Sequence, residues 1–193
     1  MSYSQNNEEE VILSHFGGKI GRFLDIGAND GSTLSNTRAL ALLGWSGVLV
    51  EPSPTAFAKL SALYPEGYTL VNAAVGEGEG EVEFFEGADT LVSTAIPGEM
   101  DRWGRAGFRP IRVRMVTVGG LLEKHPGPYD FVSIDCEGLD VKILKKLVKN
   151  PQNPTTFCVE HNSDPSRKAE ILSTLPHHRV ILSNAENLIL APV

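Results

Sequence analysis

No run of 18 apolar residues occurs in this chain, so it offers no segment able to cross a membrane as a helix. Its opening stretch, MSYSQNNEEE, lacks the basic and apolar regions of a secretory signal, and the expectation is a cytoplasmic protein with no membrane partner. Cysteine is scarce. Cys136 and Cys158 sit in apolar segments without CxxC spacing, which fits reduced, buried thiols and gives no basis for a structural zinc. Repeats, low-complexity blocks and linker-like stretches are missing too, so the 193 residues read as one domain, 1–193. A chain of this size buries about 70% of its unfolded surface, enough for a core without disulfide or metal.

The 17 Lys+Arg and 24 Asp+Glu side chains leave a formal charge of -7, which argues against a general nucleic-acid binder. The charge is uneven. Residues 1–96 hold 4 basic and 13 acidic side chains, whereas residues 97–193 hold 13 and 11. Much of the contrast comes from Arg102, Arg105, Arg109, Arg112 and Arg114, a run without an acid that also carries Trp103 and Phe108.

Short apolar runs alternate with helical patterns, the signature of an α/β fold with a mostly parallel sheet covered by helices on both faces. Strands are expected over Arg22 to Ile26, Val48 to Glu51, Tyr68 to Asn72, Tyr129 to Ile134 and Thr156 to Glu160, with two more in the tail around Asn184 to Glu186. A helix is expected after the turn GANDG, through Leu34, Leu40 and Leu43 to Gly44. Another opens at Ser53-Pro54, Ser being a good N-cap and Pro a good first helical residue. Residues 76–115 break this rhythm and read as an insertion after the third strand, a candidate lid.

Ligands of such sheets bind beyond the carboxyl ends of the strands, and here those ends are polar. The first ends in DIGANDG, the second in Glu51, the third in Asn72, the fourth in Asp135 and the fifth in Glu160-His161-Asn162. Gly27 and Gly31 permit a tight turn and a close approach, and Glu51, 24 residues after Gly27, suits two ribose hydroxyls. Asn29 occupies the place where a dinucleotide site needs its second glycine, and Asp25 and Asp30 add negative charge where a diphosphate would lie. S-adenosylmethionine, with a sulfonium and an amino group, suits those acids better. The alternative is that DIGANDG only makes a strand-to-helix turn.

DIGANDG, followed by GWSGVLVEPSP, VNAAVG and SIDCEGLD, resembles the FkbM-type S-adenosylmethionine-dependent methyltransferases. Tyr3-Ser4-Gln5 with Glu8 and Glu9 is similar to that family's YSQxGED opening, and FCVEH to its late strand. The resemblance implies a Rossmann-like, seven-stranded methyltransferase fold. It implies that Asp25, Gly27, Asn29 and Gly31 surround the amino-acid end of S-adenosylmethionine, that Glu51 holds the ribose, and that Asn72 and Ala73 border the adenine. Asn7 and Glu9 depart from the family's Gly and Asp, and Thr117-Val118-Gly119 stands in place of its TLD.

A hydroxyl acceptor needs a base, for which Asp135 and His161 are the candidates. The alternatives are a helix-capping role for Asp135 and a wall position for His161. Asp135, Glu137, Glu160, His161 and Asn162 could instead collect a divalent metal, but no spacing enforces it, and no metal is expected. Arg102, Arg105 and Arg109, with Glu137, are the candidate acceptor-binding residues; guanidiniums in a lid would grip an anionic group, unless they merely balance the acidic half. The expected acceptor is thus a hydroxyl of a sugar, glycan or related small molecule, anionic if the arginines bind it. IDCEG in place of a DPPY or NPPY run disfavours methylation of a nucleobase. A non-catalytic cofactor-binding or partner-recognition module and a nicotinamide-dependent oxidoreductase are the rival functions.

Overall fold

The computed structural model describes residues 2–64, 66–104, 107–150 and 156–193. Its main sheet has seven strands: β1 (Arg22–Ile26), β2 (Ser46–Val50), β3 (Thr69–Val71), β7 (Phe131–Ile134), β8 (Thr156–Glu160), β9 (His178–Ser183) and β10 (Asn187–Pro192). Their order is β3-β2-β1-β7-β8-β10-β9. The first five run parallel, while β10 lies antiparallel to both β8 and β9. Chain order reverses on either side of β1, so the carboxyl ends of β1 and β7 diverge into a crevice.

Strand alternation builds a core on each face. Leu24, Ile26, Val48, Val50, Val132, Ile134 and Val159 point to one side, where they meet Leu121 of α4 (Val118–Lys124), Leu144 of α5 (Asp140–Leu147) and Ile171 of α6 (Pro165–Thr174). Their neighbours Phe23, Leu49, Phe131 and Cys158 point to the other, against Ile12 of α1 (Glu8–Phe16), Leu40 of α2 (Arg38–Leu42) and Leu60 of α3 (Pro54–Leu63). Each such side chain contributes about 1.5–3 kcal/mol on burial, and a strand filled on both faces reads as a continuous apolar run. Cys136 and Cys158 are free thiols, and Cys158 is buried as expected.

The cap expected at Ser53 forms, its hydroxyl accepting the Ala56 N–H at 3.1 Å. The helix expected directly after GANDG does not. Asp30 accepts the backbone N–H groups of Ser32 and Thr33, Leu34 takes a φ of +56°, and helix begins only at Arg38. Short-range Asp and Ser hydrogen bonds outcompete helix there.

Residues 76–115 are more regular than their composition suggests. With its flanks this stretch forms a second sheet, β4-β6-β5, from β4 (Ala74–Gly76), β5 (Gly80–Gly87) and β6 (Phe108–Thr117), plus short 3-10 turns at Thr90–Val92 and Pro97–Trp103. Among the described residues no helix is long and apolar enough to cross a membrane.

Candidate active site

A cavity of about 320 Å³ opens at the carboxyl ends of β1, β2, β7 and β8 and is roofed by residues 89–95. Gly27 forms its floor with a φ of +90°, and a Cβ there would run into the Asp135 carbonyl, so only glycine lets β1 and β7 end this close together. Beside it the Asn29 N–H donates to Glu51 Oε2 at 2.8 Å, while Ser53 N–H donates to Oε1 at 2.7 Å. Each carboxylate oxygen of Glu51 thus keeps a lone pair for the cavity. Burial pushes the Glu51 carboxyl up to about 7, against the pull of those two donors. Asp25, the next strand-end acid, accepts the Thr37 hydroxyl at 2.5 Å and is pushed up to about 6 by burial.

Two expected cofactor residues serve the scaffold instead. Gly31 turns with a φ of +76°, its carbonyl accepts the Tyr64 hydroxyl, and a Cβ there would strike Leu60 and Tyr64. Asn72 is exposed and pins the β2 exit by donating to the Glu51 and Pro52 carbonyls at 2.8 and 3.2 Å. Neither lines the cavity, whereas Ala73 does.

Across the crevice, one carboxyl oxygen each from Asp135, Asp140 and Glu160 lie within 4.8 Å of one another. Burial first, then the charges of Glu137, Asp140 and Asp25, raise the Asp135 carboxyl well above the usual range. Glu160 is raised in the same way, by burial and by Asp135, Asp140 and Glu137. The helix-capping role considered for Asp135 is not formed, since α5 has no side-chain cap; Asp140, its first residue, accepts the Cys136 and Gly138 N–H groups at 2.7 and 3.0 Å and so fixes the loop after β7. Glu137 lies in that loop with a φ of +47°, buried and facing the cavity, and its carbonyl accepts the Thr94 hydroxyl at 2.8 Å. Roof and loop are tied again by Glu99, which packs against Gly138 and pairs with Arg167 of α6.

The match to a known family model spans residues 25–187, described as the methyltransferase FkbM domain. The chain belongs to the FkbM methyltransferase family. No curated relative matches it. Among solved structures, methyltransferase FkbM from Methylobacillus flagellatus KT superposes with a TM-score of 0.57 at 12% identity, over 89% of this chain and 43% of that one. Our chain therefore spans less than half of that relative. A ribosomal protein L11 methylase from Lactobacillus delbrueckii subsp. bulgaricus gives 0.54 at 11% identity, over 96% and 77% of the two chains. The 16S rRNA N2 G1207 methyltransferase of T. thermophilus, in complex with AdoMet and guanosine, gives 0.52 at 10%, over 100% and 43%. These likenesses concern the fold, a class I methyltransferase sheet.

Within this FkbM domain none of the described arginines of the run lines the cavity. Antiparallel β5–β6 pairing sets Glu86 opposite Arg109 and Glu83 opposite Arg112. Arg109 pairs with Glu86 at 2.6 Å, Arg112 with Glu81 at 3.9 Å, and Arg102 with Glu99 at 3.1 Å. Arg105 lies outside the described residues. For Arg102, Arg109 and Arg112 the lid expectation is corrected to its alternative, charge balance against nearby glutamates. His161 is likewise not brought to the cavity. Glu160 and Asn162 line the cavity, whereas the buried His161 does not; it lies near Lys168 and the Asn184–Asn187 turn, where burial and the Lys168 charge lower its pKa.

Sequence reasoning passed over Asp140 and gave Glu160 and Asn162 only a place in a metal set. It also missed Asn36, whose side chain lines the cavity and donates to Ser133 at 3.4 Å. Strand-end polarity pointed to Glu160 and Asn162. Nothing local marks the roof.

Proposed function

We propose that this FkbM domain transfers a methyl group from S-adenosylmethionine to a hydroxyl of a neutral sugar or related small molecule. The fit of the cofactor rests on three features of the cavity. Gly27 lets β1 and β7 end side by side at the cavity floor, Glu51 offers two carboxylate oxygens with lone pairs to spare, and the buried Asn29 Oδ1 has no hydrogen-bond partner. Charge supports the same choice. The described lining includes Asp25, Glu51, Asp89, Asp135, Glu137 and Glu160 but no Lys, Arg or His, a setting suited to a cation and hostile to a diphosphate.

S-adenosylmethionine supplies a methyl group already activated on a sulfonium, so the protein is left to align the acceptor and to take its proton. Asp135 is the group for that proton. Its place in the cavity lining, with a carboxyl whose affinity for protons burial and the neighbouring acids raise, is the observation that carries the proposal. The lining acids also make an anionic acceptor unfavourable, and with Arg102 and Arg109 paired elsewhere the acceptor is assigned as neutral.

Calorimetry with S-adenosylmethionine, its demethylated product and NAD tests the cofactor; tight binding of NAD alone would overturn it. Transfer of labelled methyl to neutral hydroxyl compounds tests the reaction, with Asp135→Asn expected to bind the cofactor and lose turnover. A wild-type protein that binds S-adenosylmethionine and methylates no hydroxyl would point to a binding module instead.

A further inference from the structure

The inner corner of the cavity, where β8 ends, carries polar groups that the fold leaves unsatisfied. Glu160 is only 6% exposed, and its Oε2 is buried without a hydrogen-bond partner. Two residues on, the Asn162 Nδ2 is also buried and unpartnered. The amide stands close enough to favour the Glu160 carboxylate, yet the two do not close a hydrogen bond on each other. Both side chains line the cavity beside Asp135. A buried acceptor and a buried donor left open in this way each cost about 1–3 kcal/mol, a cost that a hydrogen-bonding guest at this corner would remove.

The backbone at this corner is also held in a costly shape. Asn162 has a φ of +51°, and three bonds from the N–H groups of His161, Asn162 and Ser163 to the carbonyls of Glu186, Glu186 and Ala185 lock it there, at 2.7, 3.1 and 2.6 Å. That 185–186 turn is itself braced. Asn184 and Asn187 donate to Glu8 at 2.7 and 3.0 Å, and Asn6 donates to Glu186 at 2.8 Å. The Asn162 amide is aimed by its surroundings rather than by contacts of its own.

We propose that Glu160 and Asn162 form the acceptor subsite, in which one hydroxyl of a neutral polyol donates to Glu160 Oε2 and accepts from Asn162 Nδ2. A hydroxyl is the group that fits, because one oxygen atom both donates and accepts. An anion would meet Glu160, and an apolar group would leave both partners open. The neighbouring hydroxyl of the same polyol then faces Asp135, so the subsite selects acceptors with two adjacent hydroxyls. This assignment rests on the methyltransferase reading above and names the part of the cavity that recognises the substrate.

The test uses labelled S-adenosylmethionine with a panel of neutral hexoses, inositols and their single-deoxy analogues, on wild type, Glu160→Gln and Asn162→Ala. Methylation of a vicinal diol, with a KM for it raised about tenfold or more in each variant, is the expected result, since the loss of one buried hydrogen bond is worth about that factor. Cofactor affinity by calorimetry should stay within about twofold, because neither residue contacts the Glu51 half. Thermal melting of both variants separates this from unfolding. Unchanged acceptor KM, or equal loss of cofactor affinity, would overturn the subsite while leaving the methyltransferase reading intact. Wild-type activity abolished by EDTA and restored by Mg²⁺ would overturn it in favour of a metal held by Asp135, Asp140 and Glu160. Cofactor binding without transfer to any hydroxyl would overturn both.

Discussion

Replacing Asp25 by Asn should make the protein more stable in alkaline solution than in acid, relative to wild type. Asp25 is 4% exposed, accepts one hydrogen bond from Thr37, and forms no salt bridge among the described residues. Its carboxyl ionises at about 6 instead of the ordinary 3.8. A raised acid pKa means that the folded state holds its proton more tightly, so the contribution is intact below the unfolded value and is lost as pH rises through 6. At about 1.4 kcal/mol per pKa unit, ionisation costs the fold about 3 kcal/mol. Asn keeps an oxygen for the Thr37 hydroxyl and never ionises. Urea unfolding of both proteins at about pH 4 and about pH 8 should show the stability difference between them moving by about 2.5 kcal/mol toward the variant, most of the full effect. A difference that does not change with pH would refute the reasoning, since any constant offset from repacking cancels in the comparison.

Cofactor affinity should fall on acidification, because Glu51 accepts hydrogen bonds best as a carboxylate and ionises at about 7 in the free protein. Calorimetry should find affinity for S-adenosylmethionine roughly constant above that pH and dropping by up to about tenfold per pH unit below it; a flat profile would remove Glu51 from the ribose site. Arg109→Ala should leave acceptor KM and cofactor affinity unaltered and reduce stability by about 1 kcal/mol or less, its side chain being 71% exposed and paired with Glu86 on the outer sheet. A raised acceptor KM in that variant would restore the arginine run to the binding surface.

Much of the fold was legible because each central strand is apolar on both faces, and such runs say parallel sheet before any partner is known. The acids Asp25, Glu51, Asp135 and Glu160 were legible for the same reason, as polar residues placed where buried strands stop. The failures are of another kind. His161 and Asn162 are adjacent in sequence, yet the turn beyond β8 gives the cavity only one of them, and that turn is set by bonds to Ala185 and Glu186 far along the chain. Arg109 looked free because its partner, Glu86, is 23 residues away and becomes a neighbour only when β5 pairs with β6. The loop that replaces helix after GANDG follows from Asp30 capturing two backbone N–H groups, a competition that apolar periodicity does not register.

The roof over the cavity is fastened to the loop that follows β7 by the Thr94–Glu137 bond and by Glu99, which packs on Gly138. That loop begins at Asp135. Any displacement of the roof would therefore be transmitted to the segment that carries Asp135, the base of the proposed reaction. In the proposed reaction the roof and the base would thus be positioned together, so that one set of contacts both covers the cavity and aims the proton acceptor.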